Sequence, residues 1–315
     1  MPKPLDIPVP GLTGKLALVT GASDGVGLEI AARLARAGAD ILMPVRNEQK
    51  GEAAATQIAQ RSPRGSIRVL PLDLASLDSI ATLTAQLNAE GRPIDLLIAN
   101  AGVMTPPTRR LSADGFELQL ATNHLGHFAL VAQLLPLLVE AKAHVTSQIS
   151  IAADQGAVSW DDPNWERGYD PMKAYSSSKI AFGLFAMQLQ RTSDAASWGI
   201  RSTLAHPGVT PTNLLAAQPG MGRPTDTTAV TFIRAMSRRG LLFGTPASAA
   251  LSAVYAATSP DARGGHLYGP KGFRRLSGLP AEQPMYSRLQ SETDAQRAWE
   301  LSEQLTGVRV ASLGR

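Results

Sequence analysis

The chain has 315 residues, 44% of them hydrophobic, with 30 Lys and Arg against 26 Asp and Glu and no cysteine. That length and apolar content suit one large α/β domain or two small ones, and the lack of cysteine excludes disulfides, thiolate nucleophiles and Cys-type zinc sites. A formal charge of +4 without runs of Lys or Arg does not imply nucleic acid, but it suits a small anionic ligand.

Residues 1–8 carry no signal-peptide core, and the most apolar segment, 128–139, is too short to span a bilayer. The expectation is a cytoplasmic protein with no membrane span. Lys15-Leu-Ala-Leu-Val-Thr20 is an apolar run of the kind that forms a buried parallel strand. It leads into Thr20-Gly-Ala-Ser-Asp-Gly-Val-Gly27 and then into a helical pattern that stops at Gly38. Strand, glycine turn and helix together make the context of a dinucleotide loop. Gly21, Gly25 and Gly27, with Ser23, Asp24 and Val26 between them, would let the backbone approach a pyrophosphate at the positive end of the helix. The spacing Gly-x-x-x-Gly-x-Gly is one residue off the Gly-x-Gly-x-x-Gly fingerprint.

The second strand, 39–46, ends in Val45-Arg46. An acid there would bond the 2′-hydroxyl of NAD; Arg46 instead offers a fork for a 2′-phosphate, which points to NADP. Asp24 argues the other way, and Pro44 predicts an irregular strand end. A helix over 47–62 is capped by Asn47, and a third strand, 66–73, ends at Asp73-Leu74. Asp73 either reads an adenine amino group or caps the helix over 76–89. The next strand, 94–99, ends in Asn100-Ala101-Gly102, small enough to admit a flat ring. One long helix is expected over 116–140, with Asn123, a poor helix former, in its middle. A fifth strand, 143–151, carries Ser150 near its C-terminal end, where ligands bind in open α/β sheets.

Tyr175-Ser-Ser-Ser-Lys179 places a phenol and an ammonium one helical turn apart on one face. A free phenol has a pKa of about 10. A neighbouring ammonium favours the phenolate, which makes Tyr175 a candidate acid/base. A sixth strand, 200–206, closes in Pro207-Gly208, followed by Val209 and Thr212. Residues 209–244 read as a mobile lid. A helix over 245–257, a last strand over 265–270 and an amphipathic helix near 294–305 complete the chain. The expected organisation is an N-terminal arm (1–12), a single domain (13–275) and a C-terminal extension (276–315).

Thr20–Gly27, Asp73-Leu74, Asn100-Ala-Gly102, Asn123, Ser150, Tyr175-x-x-x-Lys179 and Pro207-Gly208, in that order, resemble the short-chain dehydrogenase/reductase family over roughly residues 13–270. Asn123-His-Leu-Gly-His-Phe128 and the long Ser150-to-Tyr175 interval resemble its retinol-dehydrogenase-like branch. The resemblance implies a Rossmann-type doubly wound parallel sheet of about seven strands. It also implies an oxidoreductase that passes a hydride between nicotinamide and a carbonyl or alcohol carbon while Tyr175 exchanges the proton. Lys179 would lower the Tyr175 pKa and bond the nicotinamide ribose. Ser150 would polarise the carbonyl, Asn123 would hold a relay water, and Thr212 would reach the carboxamide or phosphates. His124, His127 and His206 are read as structural, and no metal is expected. Gln148-Ile-Ser replaces the family's usual Ser-Ser pair, and Ala99 stands where a second Asn is common. Two alternatives stay open: a non-catalytic dinucleotide-binding regulator, and a reductase of an activated C=C or C=N bond. Leu214, Leu215, Phe232, Leu241, Leu242 and Phe243 suggest a large apolar substrate. Pairing of the two long helices, 116–140 and 172–197, would give a homodimer or homotetramer.

Overall fold

The computed structural model describes residues 5–61, 64–210 and 244–310. In chain order the elements are β1 (Leu16–Val19), α1 (Gly25–Arg36), β2 (Asp40–Val45), α2 (Glu48–Arg61), β3 (Ile67–Pro71), α3 (Leu77–Glu90) and β4 (Leu96–Ala99). Then come α4 (Leu118–Leu120), α5 (Gly126–Gln133), α6 (Leu135–Glu140), β5 (His144–Gln148), α7 (Pro171–Ala196) and β6 (Arg201–Ala205). The last four are α8 (Pro246–Thr258), β7 (Leu267–Pro270), β8 (Pro280–Gln283) and α9 (Glu292–Thr306), with a short 3₁₀ turn at Phe273–Arg275.

The sheet runs β3-β2-β1-β4-β5-β6-β7-β8, with only β8 antiparallel to its neighbour. Strands β1 and β4 are buried along their whole length, as expected of strands covered by helices on both faces. One apolar layer joins the sheet to α3, α5, α6, α7 and α9; the other joins it to α1, α2 and α8. Strand order reverses between β1 and β4, the switch point at which open α/β sheets bind ligands.

Three expectations change. Among the described residues the sheet has eight strands rather than about seven, because residues 271–279 fold the chain back through Lys271 N–H to Leu279 O (2.9 Å) and Gly272 N–H to Ser277 O (3.0 Å). Pro280 is tolerated there because β8 is an edge strand. Pro44 does not distort β2: it pairs with Leu70 on the β3 side. Its missing N–H faces β1, whose registered pairs with β2 stop at Leu18–Leu42. Nor is 116–140 one helix. A π turn at Ala121–Leu125 follows α4, and Pro136 restarts the chain as α6 after Leu134 leaves helical geometry.

The C-terminal helix α9 lies against α5 and α7. Trp299 meets Phe128 edge-on and Phe185 at a tilt, both at 5.7 Å between ring centroids. Among the described residues no helix is long and apolar enough to cross a membrane.

Candidate active site

The carboxyl ends of the central strands open onto a cleft of about 910 Å³. Its walls bring together the glycine loop (Gly21, Ser23–Gly27), Arg46, Asp73-Leu74, Asn100–Gly102, Ser150, Tyr175, Lys179 and Pro207–Val209. Of the expected site residues, Thr212 lies outside the described residues, and Asn123 stands behind the wall rather than in it.

The glycine loop is packed backbone to backbone. A Cβ on Gly21 (φ +68°) would come within 2.9 Å of Ala101 Cα, and one on Gly27 within 2.3 Å of Gly21 O and 2.5 Å of Asn100 Nδ2. Thr20 laces the first turn to the turn after β4. Its Oγ1 accepts from the N–H groups of Asn100 and Ala101 (2.9 Å each), and its carbonyl accepts from Asn100 Nδ2 (2.9 Å). Asp24 caps α1 by accepting from Gly25 N–H at 2.7 Å, and its other oxygen pairs with Lys50 Nζ at 2.6 Å. The carboxylate that spoke against a 2′-phosphate is therefore balanced by Lys50, which lines the cleft beside Arg46. Asp73 does not cap α3. It closes its own turn by accepting from Ala75 N–H (2.9 Å), and Ser76 is the cap.

Each residue of Tyr175–Lys179 has its own partner. The Ser176 hydroxyl lies between Ala152 O (2.5 Å) and Gln155 O, and Ser177 Oγ accepts from Ser159 N–H (3.2 Å). Ser178 Oγ donates to Tyr175 O (2.8 Å) and accepts from Asn123 Nδ2 (3.0 Å). The three serines thus fasten α7 to the Ser150 turn, to the loop before α7, and to the π turn. Tyr175 is only 3% exposed, and its hydroxyl bonds the Ser150 hydroxyl. Burial pushes its pKa up from the ordinary value, and the Ser150 bond opposes the rise. Lys179, 4% exposed, donates to Gln148 O at 2.9 Å, and burial lowers its pKa to about 8. The expected lowering of the Tyr175 pKa is not what the structure shows: phenol and ammonium turn to different partners, and desolvation dominates the phenol.

The side chain of Asn123 is fully buried and fully engaged. Oδ1 accepts from Val103 N–H (2.8 Å), and Nδ2 donates to Val103 O (3.0 Å) and Ser178 Oγ (3.0 Å). Gly102 separates it from the cleft by so little that a Cβ there would sit 3.0 Å from Asn123 Oδ1 and 3.5 Å from Lys179 Nζ. π turns mark functional sites, and this one delivers Asn123 to the back of the cleft. His124, His127 and His206 do not line the cleft. Burial holds the first two near a pKa of about 3 and His206 near about 4, so all three are neutral. Thr20 Oγ1 accepts twice, and its proton faces His127 Nε2 (3.0 Å) more closely than Ile98 O (3.5 Å). His127 then donates from Nδ1 to Asn123 O (3.3 Å).

The sequence reading missed Lys50, Thr210, Met104, Met172, Tyr286 and the pair Arg274–Arg275, all lining the cleft. Lys50 had a signal: a cation in the first turn of a helix runs against the helix dipole. Gln148 and Thr210 also line the cleft, and Gln148 Oε1 and Thr210 Oγ1 are buried without a hydrogen-bond partner among the described residues. Such atoms cost free energy unless a ligand satisfies them, which fits a polar cofactor held here.

The sequence matches the short chain dehydrogenase family over residues 15–220. It is 36% identical over 306 residues to polyprenol dehydrogenase of Mus musculus, covering 95% of this chain and 86% of that protein. It is 35% identical over 308 residues to retinol dehydrogenase 13 of Homo sapiens, covering 96% and 87%. Among solved structures, an uncharacterised protein from Mycobacterium paratuberculosis is similar at a TM-score of 0.74 and 33% identity, covering 96% of this chain and 97% of that one. A structure described as an NAD(P)-dependent gluconate 5-dehydrogenase from Beutenbergia cavernae, with bound NADP, is similar at 0.59 and 25%, covering 79% and 91%. The chain belongs to the short-chain dehydrogenase/reductase family, in its retinol-dehydrogenase-like branch, and is an NAD(P)-dependent oxidoreductase.

Proposed function

We propose that the protein is an NADP-dependent carbonyl reductase acting on apolar aldehydes or ketones, and on the matching alcohols in reverse, with Tyr175 as the acid/base. The observation that carries this reading is the Tyr175 hydroxyl, buried, bonded to Ser150 and one helical turn from Lys179, at the floor of a cleft on the switch point. The glycine loop, Asn100–Gly102 and Pro207–Val209 would hold the dinucleotide, whose nicotinamide supplies or accepts the hydride. Ser150 and Tyr175 present two hydroxyls to one substrate oxygen. Ser150 polarises the carbonyl, and Tyr175, kept protonated at neutral pH by burial, gives its proton as negative charge builds on that oxygen. Lys179, charged at pH 7, lies one turn away to stabilise the phenolate left behind. Because the Asn123 side chain is engaged on every polar atom, we read it as positioning the Gly102–Val103 turn against α7 rather than holding a relay water. Met104, Ile151, Met172 and Tyr286 supply an apolar wall, in keeping with relatives named for retinol and polyprenol.

Preference for NADP rests on Arg46 and Lys50 at the β2 end. A charge-assisted hydrogen bond contributes roughly 1.5–3 kcal/mol. Arg46→Ala is therefore expected to weaken NADPH binding at least ~10-fold while leaving NADH nearly unchanged. Lys50→Ala should act the same way, because it also removes the ammonium that balances the Asp24 carboxylate at this end of the cleft. Fluorescence titration of both dinucleotides into each variant checks this; NADH binding as tightly as NADPH to the wild type would contradict it.

Lys179 also sets a pH dependence. Its ordinary pKa of 10.5 falls to about 8 on folding. Below pH ~8 both states hold the proton, and the folded state bears the full cost of a buried ammonium. Between about 8 and 10.5 the unfolded chain binds more protons, so stability rises with pH. Urea unfolding should show the wild type gaining on Lys179→Met as pH goes from ~7.5 to ~10; a constant difference would place the lysine in a solvated setting.

A further inference from the structure

A second pair of cations lines the same cleft at the other end of the sheet. Arg274 and Arg275 sit on the 3₁₀ turn after β7, with four strands between β7 and β2. At ~4.8 Å per strand this is ~24 Å from the Arg46–Lys50 end. The expected place of the pyrophosphate, the glycine loop, also lies toward β1. The backbone of this pair thus lies several strands from both expected anion sites of a dinucleotide.

The turn is built at a cost. Arg274 and Arg275 have φ of +48° and +59°, a left-handed conformation that disfavours side chains other than Gly, Asn and Asp. Two successive strained residues persist only where the surroundings fix them, and here they do. Arg275 N–H donates to Gly272 O (2.9 Å), Leu276 N–H to Phe273 O (3.1 Å), and Val209 N–H to Leu276 O (2.9 Å). Gly208 is pressed so close that a Cβ would lie 2.2 Å from Leu276 O. The arginine turn is thus bolted to the Pro207–Gly208 turn beside β6. The Arg275 guanidinium bonds the Tyr286 hydroxyl, and Arg274 packs over Phe273 with 5.5 Å to the ring centroid. Neither forms an ion pair among the described residues. The one carboxylate sharing their wall, Asp154, is exposed and pairs with neither arginine.

We propose that Arg274 and Arg275 form a subsite for an anionic group on the substrate, so that the carbonyl compound carries a carboxylate or phosphate at the far end of its apolar chain. This rests on the carbonyl-reductase reading for the position of the reacting carbon, which lies at Tyr175. The arginines grip the acidic terminus, and the chain between lies along Ile151, Met172 and Tyr286.

The test uses ω-oxo carboxylic acids of graded chain length, each paired with its methyl ester. In steady-state turnover with NADPH, the acid of matching length is expected to exceed its ester in kcat/KM by ~10-fold, chiefly through KM. Arg275→Gln should remove most of that ratio, the double change Arg274→Gln/Arg275→Gln all of it, and Arg275→Lys should keep part. The same compounds are titrated calorimetrically into NADPH-loaded Tyr175→Phe protein, which reads binding without turnover. Esters reduced as well as acids at every length, or an acid preference that survives the double change, would overturn the subsite while leaving the reductase reading intact. Arginine-dependent binding of acids without turnover by the wild type would support the subsite and count against the reductase reading instead.

Discussion

Tyr175→Phe is expected to lower kcat by about 10³-fold, within the 10²–10⁴ range typical of a lost general acid, while the Kd for NADPH stays within about twofold. The change removes one oxygen from a ring that is otherwise packed in place, so the fold and the cofactor walls remain. In the proposed mechanism, what is lost is the proton that reaches the substrate oxygen as charge develops there. Ser150 keeps its contact with Ala152 N–H at 3.2 Å, so it continues to orient a carbonyl, and KM should move little. Ser150→Ala is expected to cost less, about 10²-fold, because the phenol still delivers the proton to a carbonyl that is no longer polarised. Steady-state kinetics with a parallel binding titration separates the two effects. A Tyr175→Phe protein with near wild-type kcat would place the acid elsewhere.

The largest stability effect is expected at Trp299. Its indole is 8% exposed and meets Phe128 and Phe185 at 5.7 Å each, joining α9 to α5 and α7. Truncating a buried aromatic to alanine costs about 3–5 kcal/mol when the cavity cannot collapse. Here two rigid rings and the fully buried Ala295 and Ala298 leave little room to collapse. Urea unfolding of Trp299→Ala should show that loss, and a loss under about 1 kcal/mol would mean α9 is loosely held. The same helix reaches the π turn directly, since Ser302 Oγ lies 2.7 Å from His124 Nε2, next to Asn123. Loosening α9 should therefore lower kcat as well as stability.

These two residues show where the sequence was legible. The helix that puts Tyr175 and Lys179 in one cleft was readable because helical spacing is a local property, and β1 and β4 because burial on both faces leaves a continuous apolar run. The glycine loop was readable for the same reason, its demands being met within a few residues. What spacing could not give was the direction of each side chain. Lys179 turns to Gln148 O, not to the phenol, and burial raises the Tyr175 pKa. The Asp24 conflict was resolved by Lys50, 26 residues away. The break at Asn123 depends on bonds to Val103 and Ser178 that no local propensity encodes. Strand β8 owes its existence to β7 rather than to its own pattern, and the reversed φ of Arg274 and Arg275 leaves no trace in composition. Residues 211–243 of the expected lid, Thr212 among them, lie outside the described residues.

The most direct test of the account is to follow NADPH consumption by the wild type and by Tyr175→Phe side by side, against aldehydes and ketones of increasing apolar length, with NADPH binding measured on both. The account predicts that both proteins bind NADPH alike and that only the wild type converts it, yielding the alcohol. Equal consumption by both proteins, or tight NADPH binding with no turnover by either, would contradict it.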